Sequence, residues 1–335
     1  MAEEINFEKT IEDNLSKILK NIKNDKQKKT ATIAVALSGG SDSLAITIAL
    51  HELNYNVFAI LVNHNLRIEA KNEIQQTIKT IGKYNIKYIV QEWDGKVKNN
   101  LENEARQARY KLLLDVCKEH NVKYLCLGHH MDDQIETFLL NLARGSGLDG
   151  LCCMPKTMIL ENIHIIRPML NLTKQDCVNY LTSKHLTWCE DDSNKDIQYK
   201  RNHIRYLLGE IEDKVLLTKR INTTITILQE VRETMDVLIN QTANNIASYK
   251  YNENNNIQSV SFSKDIFLNL TLYLQKSLLT KFIMQISCKT YKPRLYQIEN
   301  IISDIRNHEH FKRTIASCII YSKNNNITIS MLSML

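Results

Sequence analysis

Glycine and proline are scarce in this chain: nine and three among 335 residues. That scarcity excludes collagen-like and low-complexity linker architectures. No apolar run approaches the roughly 18 residues that would span a bilayer; the longest, residues 31–37, is the size of a buried strand, so no membrane partner is expected. The opening MAEEINFEKT lacks the basic-then-apolar pattern of a secretory leader, which makes a cytoplasmic location the expectation. None of the eight cysteines forms a C-x-x-C pair, so reduced thiols are expected instead of a disulfide framework or a paired-cysteine metal site. Also missing are the Gly-Lys-Ser/Thr ending of a Walker A loop and the G-x-G-x-x-G dinucleotide fingerprint.

What is present is ordinary for a folded protein: 24% charged and 43% hydrophobic residues. At about 150 residues per domain the length fits two domains. Net charge is +6, and residues 281–335 carry 8 basic against 3 acidic side chains. An excess of that kind points to a polyanionic partner. No glycine follows Gly209, and only Pro293 follows it among the prolines. This shift marks a boundary near 209–216. The reading is a lead-in over 1–30, a nucleotide-binding domain over 31–210 and a mainly helical domain over 216–335. The asparagine runs at 254–256 and 324–326 read as loop tips.

Residues 31–210 alternate short apolar strands with amphipathic helices. Strands are expected at 31–37, 57–62, 87–93, 123–128 and 163–167. Helices are expected at 43–53, 69–84, 101–120, 132–143 and 174–185. Such alternation implies right-handed crossovers and an α/β, Rossmann-like open parallel sheet. In sheets of this kind ligands sit beyond the carboxyl ends of the strands.

The first strand runs directly into Ser38, Gly39, Gly40, Ser41, Asp42 and Ser43, and a helix follows. Two glycines allow the backbone to approach a ligand closely. The residues after them offer N–H groups and hydroxyls at a helix N-terminus, which is an anion site. Asp42 would repel phosphates unless a cation bridged them, which points to Mg²⁺.

Four further stretches carry chemistry. Arg106 and Arg109 stand i,i+3 on the long helix and could clamp a phosphate or carboxylate. His129, His130, Asp132 and Asp133 leave a strand and enter a helix, with Asp132 read as its cap and Asp133 and Glu136 on one face. Those carboxylates could bind Mg²⁺ or an ammonium group; a zinc site is not favoured, because no third ligand has useful spacing. Gly145, Gly147 and Gly150 make a glycine-dense loop, a place for substrate contact or lid closure. An acidic loop from Glu190 leads into a basic helix start that contains Arg201 and Arg205.

In order along the chain, S-G-G-S-D-S at 38–43, V-N-H-N-L-R at 62–67, E-A-R-Q-A-R-Y at 104–110 and H-H-M-D-D-Q-I-E-T at 129–137 are followed by R-G-S-G-L-D-G-L at 144–151, R-P-M-L at 167–170 and E-D-D-S-N…R-N-H-I-R at 190–205. The first is similar to the signature of the PP-loop ATP pyrophosphatases. The whole set resembles the tRNA(Ile)-lysidine synthase family over residues 30–210; residues 211–335 match loosely. One departure is Asp192, where the family usually has proline.

The resemblance implies ligase chemistry. ATP adenylates O2 of the wobble cytidine in a tRNA(Ile) with a CAU anticodon, and free L-lysine then displaces AMP. It implies that Ser38–Ser43 hold the phosphates, that Asp42 positions Mg²⁺ and that Arg109 stabilises charge near the adenylate. It assigns Asp133 and Glu136 to the lysine amino groups and Arg201 to its carboxylate. The basic tail, with Lys281, Lys289, Lys292, Arg294, Arg306, Lys312 and Arg313, would bind tRNA. Three alternatives share the nucleotide fold: a tRNA 2-thiolation enzyme, whose usual cysteine pairs are missing; an NAD- or GMP-synthetase-like ligase; and a non-catalytic nucleotide-binding module.

Overall fold

A computed structural model describes residues 6–22, 31–63, 70–93, 101–189, 200–287, 289 and 291–332. They divide into two compact units, Met1–Gln229 and Glu230–Leu335.

Unit 1 opens with α1 (Phe7–Asn21), capped by the Asn6 side chain, which accepts from the Lys9 N–H at 3.0 Å. Its stripe of Phe7, Ile11, Leu15, Ile18 and Leu19 is buried at helical spacing. Next come β1 (Thr32–Ala36), α2 (Ser41–Glu52), β2 (Asn56–Asn63), α3 (Ala70–Gly82) and β3 (Lys87–Glu92). They are followed by α4 (Leu101–Glu119), β4 (Tyr124–Cys126), α5 (Met131–Ala143) and the single turn α6 (Leu148–Leu151). The unit continues through β5 (Thr157–Leu160), β6 (Ile163–Ile166), α7 (Lys174–Ser183), α8 (Lys200–Gly209) and into α9 (Lys214–Ile246).

The sheet has the order β3-β2-β1-β4-β6-β5. β1 pairs in parallel with β2 on one side and with β4 on the other, Val35 facing Ala59 and Cys126. Sheet order therefore reverses between β1 and β4, and a crevice opens beyond their carboxyl ends. Helix α2 is apolar all round and buried from Ser43 to Leu50, so it lies inside the unit instead of on its surface. The loop at its N-terminus is consequently seated on a fixed element.

One strand was not expected. β5 pairs antiparallel with β6 through a two-residue turn, Glu161 and Asn162, both at positive φ. Such turns are signalled by Asn-Gly or Asp-Gly; Glu-Asn hides the signal, and β5 has no inside–outside alternation because Met158 and Ile159 are both exposed.

Unit 2 has its own core, with Ile239, Phe262, Phe267, Phe282, Ile301 and Ile320 among its members. It takes in the end of α9, then β7 (Ala247–Tyr251), β8 (Ile257–Ser263), α10 (Lys264–Leu268), α11 (Leu272–Ser287), α12 (Leu295–Asn307), β9 (Lys312–Ile315), β10 (Cys318–Lys323) and β11 (Asn326–Met331). Its helices are joined by a five-stranded antiparallel sheet of order β7-β8-β11-β10-β9. β7 and β8 were not anticipated, being short and rich in serine and tyrosine.

Glycine scarcity has a visible counterpart. Among the described residues, Asn54, Asn85, Asn121, Asn162, Asn255, Asn324 and Asn325 all hold positive φ. These are turns and helix ends where glycine is the usual occupant; asparagine is the next best tolerated.

Candidate active site

The loop after β1 is laced by its own hydroxyls. Ser43 Oγ accepts from the Ser38 N–H at 3.1 Å, lies 3.0 Å from Ser38 Oγ and donates to the Gly40 carbonyl at 3.1 Å. Gly39 holds φ +90°, and a Cβ there would meet Thr77 Oγ1 at 2.6 Å. Gly40 is the N-cap of α2 and supplies no side-chain acceptor. The first N–H groups of the helix are thus left for a ligand, as an anion site requires.

Gly128, which follows β4, has a different reason to be glycine. A Cβ there would fall 3.0 Å from Ser43 N and Cα and 3.1 Å from the Asp42 carbonyl carbon. These are backbone atoms and cannot swing aside. Gly128→Ala is expected to destabilise unit 1 by about 1–3 kcal/mol and to weaken ATP binding through the displaced loop. Thermal unfolding and nucleotide titration check both effects; unchanged ATP affinity contradicts the coupling.

The two loops meet at Asp42 and His130. His130 is 3% exposed. Its Nε2 lies 3.5 Å from Asp42 Oδ2 and 3.6 Å from Asp133 Oδ2, and its Nδ1 lies 3.3 Å from Asp132 Oδ2. Burial opposes the imidazolium, but the three carboxylates outweigh it and hold the group up to about 10. Burial likewise pushes the Asp42 carboxyl up, and His130 and the Ser41 hydroxyl, donating at 2.8 Å, bring it below the usual range.

Helix α5 starts differently from the expectation. His130, not Asp132, is the N-cap residue, and Asp133 Oδ2 accepts from the His130 N–H at 3.1 Å. Asp132 Oδ2, which faces the His130 ring, also accepts from the Lys174 N–H at the start of α7, at 2.8 Å. The cap position is fixed by strand exit: His130 bridges to Met169 in extended conformation, and helical geometry begins only at Met131.

His129 faces Arg167, the residue after β6. Arg167 is 4% exposed; its Nε donates to His129 Nδ1 at 3.3 Å and its Nη1 donates to the Pro155 carbonyl at 2.9 Å. A guanidinium has no lone pair to offer, so Nδ1 is the acceptor and the imidazole proton sits on Nε2. Burial, opposed by Asp133 and reinforced by Arg167, lowers the His129 imidazole to about 4. The ring is therefore neutral near pH 7.

Glu136, one turn along α5, is 2% exposed and is held by Arg205 of α8: Nε bonds Oε1, and Nη2 bonds Oε2 at 3.2 Å. Burial raises the Glu136 carboxyl above its usual range, against the pull of Arg205. Arg201 is close enough to act electrostatically on both Glu136 and His129. Asp42, Asp133, Glu136 and Arg201 thus belong to one neighbourhood around α5. Arg109 is exposed on α4; its neighbour Arg106 is the arginine that acts on His129 and Arg167.

The glycine-dense loop is not free-standing. It contains α6 and is tied to α5 by Gln134, whose amide exchanges two hydrogen bonds with the Met154 backbone at 2.8 and 2.9 Å, and by Asn141, which donates to Gly150 O at 2.8 Å. Residues 64–67 of the motif at 62–67 and the acidic loop at 190–199 lie outside the described residues. The sequence reading names Arg205 without giving it a role and does not pair His129 with Arg167. A signal existed for the latter: an arginine directly after a strand, at the carboxyl edge of the sheet.

The family of PP-loop domains matches residues 7–211. A tRNA(Ile)-lysidine synthase of Wolbachia pipientis wMel is 33% identical over 94% of this chain and 74% of its own length. One from Rickettsia bellii (strain OSU 85-389) is 32% identical over 89% of this chain and 69% of its own. Among solved structures, the U34-tRNA thiolase NcsA from Methanococcus maripaludis, with its [4Fe-4S] cluster, superposes with a TM-score of 0.52 at 20% identity, over 65% of this chain and 80% of its own; that likeness is one of fold. With the PP-loop match covering well over half of the sequence and relatives of one name aligned along most of it, the chain belongs to the tRNA(Ile)-lysidine synthase family of ATP-using PP-loop ligases.

Proposed function

We propose that this chain joins free L-lysine to C2 of the wobble cytidine of a CAU-anticodon tRNA(Ile), in two steps at one site. In the first step the cytosine O2 attacks the α-phosphate of ATP, and pyrophosphate leaves. In the second, a lysine amine attacks C2, loses a proton, and the C2–O bond breaks to release AMP. The observation that carries this reading is the meeting of the phosphate loop and the acid-bearing helix at Asp42 and His130, 3.5 Å apart. A nucleotide held by Ser38–Ser43 and an amino acid held on α5 would share the crevice beyond β1 and β4.

Asp42 would hold Mg²⁺. That ion takes one or two carboxylates together with substrate phosphates, and a single carboxylate beside a phosphate loop suits this mode. Among the described residues no group of three His, Cys, Asp or Glu forms a protein-only cage. When bound, the ion would offset phosphate charge. Asp133 and Glu136 would receive the lysine amino groups, Arg201 its carboxylate, and Arg109 charge near the adenylate. A target base must leave the anticodon stack, a small cost in a loop that is already partly unstacked.

Mass spectrometry of nucleosides from tRNA incubated with the protein, ATP and isotopically labelled lysine tests the reading. Labelled lysine appearing in the wobble nucleoside is expected. Pyrophosphate exchange without lysine transfer would overturn it, and sulfur incorporation would favour thiolation.

The tRNA surface is proposed on unit 2. Lys289, Lys292 and Arg294 are exposed between α11 and α12, and Lys312 is exposed on β9. Arg313 is also exposed, but Asp304 engages its guanidinium at 2.5 and 3.3 Å and offsets its charge. Each phosphate contact contributes about 0.9 to the log–log salt slope on duplex and roughly 0.7 on single strands. Neutralising Lys289, Lys292, Arg294 and Lys312 should weaken tRNA binding and flatten that slope, while ATP binding stays constant. Wild-type tRNA affinity at both low and high salt would move the surface elsewhere.

A further inference from the structure

Within unit 1 the pairing of Glu136 with Arg205 is used by nothing described so far. The two residues lie on α5 and α8, and their hydrogen bonds run edge to edge: Nε with Oε1, and Nη2 with Oε2 at 3.2 Å. Nη1 of the same guanidinium lies 3.4 Å from Asn202 Oδ1, one turn earlier on α8. The acid is 2% exposed and the arginine 38%. One member is therefore sealed in the protein, and the other reaches it from the solvent side.

A carboxylate has about four lone-pair positions. A bidentate guanidinium occupies one on each oxygen and fixes the carboxylate plane, leaving the others for a second cation. Asp133 stands one helical turn away and bears on Glu136 as a like charge. Arg205 and Arg201 both act on Glu136 and the His130 ring lies 3.6 Å from Asp133, so what this place offers an incoming ammonium group is oriented carboxylate oxygens. Without the guanidinium, two neighbouring carboxylates would face each other in a site poor in water, and the carboxylate of Glu136 would have no fixed plane.

We propose that Arg205 is a positioning residue of the lysine pocket, clamping Glu136 so that its free lone pairs meet an ammonium group of the incoming amino acid. This rests on the reading given above that Glu136 receives such a group. The clamp needs a planar fork: a lysine at 205 would supply the charge but only a point contact.

The test uses the full chain with tRNA and compares Arg205→Gln and Arg205→Lys with wild type in two assays. These are tRNA-dependent ATP–pyrophosphate exchange without lysine, and lysidine formation across a lysine titration. Losing a hydrogen bond to a charged group corresponds to about tenfold or more, so KM for lysine should rise by that factor in Arg205→Gln. A smaller rise is expected in Arg205→Lys, and pyrophosphate exchange and the thermal midpoint should hold in the lysine variant. An unchanged lysine KM in both variants overturns the assignment. So does a parallel loss of exchange and ligation in a folded Arg205→Lys protein, which would mark a structural strut. If Arg205→Gln does not fold, Arg205→Lys decides alone. Wild-type protein that exchanges pyrophosphate but shows no dependence on lysine overturns the underlying reading instead, and the assignment with it.

Discussion

Asp42→Ala abolishes adenylation and leaves unit 1 folded: this is the largest effect expected of any single substitution. The carboxylate stands in the first turn of α2, beside the loop that would hold the phosphates; His130 offsets its charge at 3.5 Å, and the proposed Mg²⁺ would join it to them. Loss of one preorganised charge-stabilising group lowers rates on the order of 10²–10³-fold, and loss of the carboxylate proposed to hold Mg²⁺ should do at least as much. The fold should survive, because α2 is anchored by its buried apolar residues from Leu44 to Leu50. His130 also keeps Asp132 at 3.3 Å and Asp133 at 3.6 Å as counter-charges. Stability should therefore fall by less than the roughly 3–5 kcal/mol lost when a buried charge is left with no counter-charge. Pyrophosphate release measured with saturating ATP and tRNA decides the matter; a variant that releases it at the wild-type rate takes Asp42 out of the chemistry.

Second in size is the separation of the two half-reactions by Glu136→Ala and Arg201→Ala. If the acid receives an ammonium and the arginine a carboxylate, each variant should lose about tenfold to a hundredfold in kcat/KM for lysine. Lysine-independent pyrophosphate exchange should change little. Removing Glu136 also takes one partner from Arg205, but Arg205 keeps Asn202 Oδ1 at 3.4 Å, is 38% exposed and can turn its charge to water. Stranding that arginine should therefore be mild, unlike stranding a sealed carboxylate. Glu136→Gln keeps the shape of the site and separates charge from packing. Equal losses in both assays would contradict the assignment of these residues to lysine.

How much of this was legible in the sequence depends on the range of the interaction. The phosphate loop is local: strand, glycine pair, hydroxyls and helix follow one another within a few residues, so 38–43 could be read directly. Alternation of strands and helices carried the parallel sheet for the same reason. The acid helix was found, but its cap was misassigned to Asp132, because the cap position depends on a bridge from His130 to Met169 that periodicity does not show. The Arg167–His129 pair joins residues 38 apart and the Arg205–Glu136 pair residues 69 apart. Neither spacing has a meaning until the sheet order is known. β5 was hidden by an unusual turn, and β7 and β8 by short polar strands whose only strong inward residues are Val260 and Phe262.

The asparagines at positive φ bear on where the molecule should open first. Each left-handed residue other than glycine works against a local preference of up to roughly 1–2 kcal/mol, with asparagine at the lenient end. The unfolded chain partly compensates, since an asparagine backbone has less freedom to lose than a glycine one. Across the turns at Asn162, Asn255, Asn324 and Asn325, small residual penalties add up against a net stability of only about 5–15 kcal/mol. Fraying should start at these hairpin tips, while the enclosed helix α2 exchanges its amide hydrogens last. The phosphate loop hangs on the end of that helix, so its shape is carried by the slowest-opening part of the unit and can be ready before any nucleotide arrives.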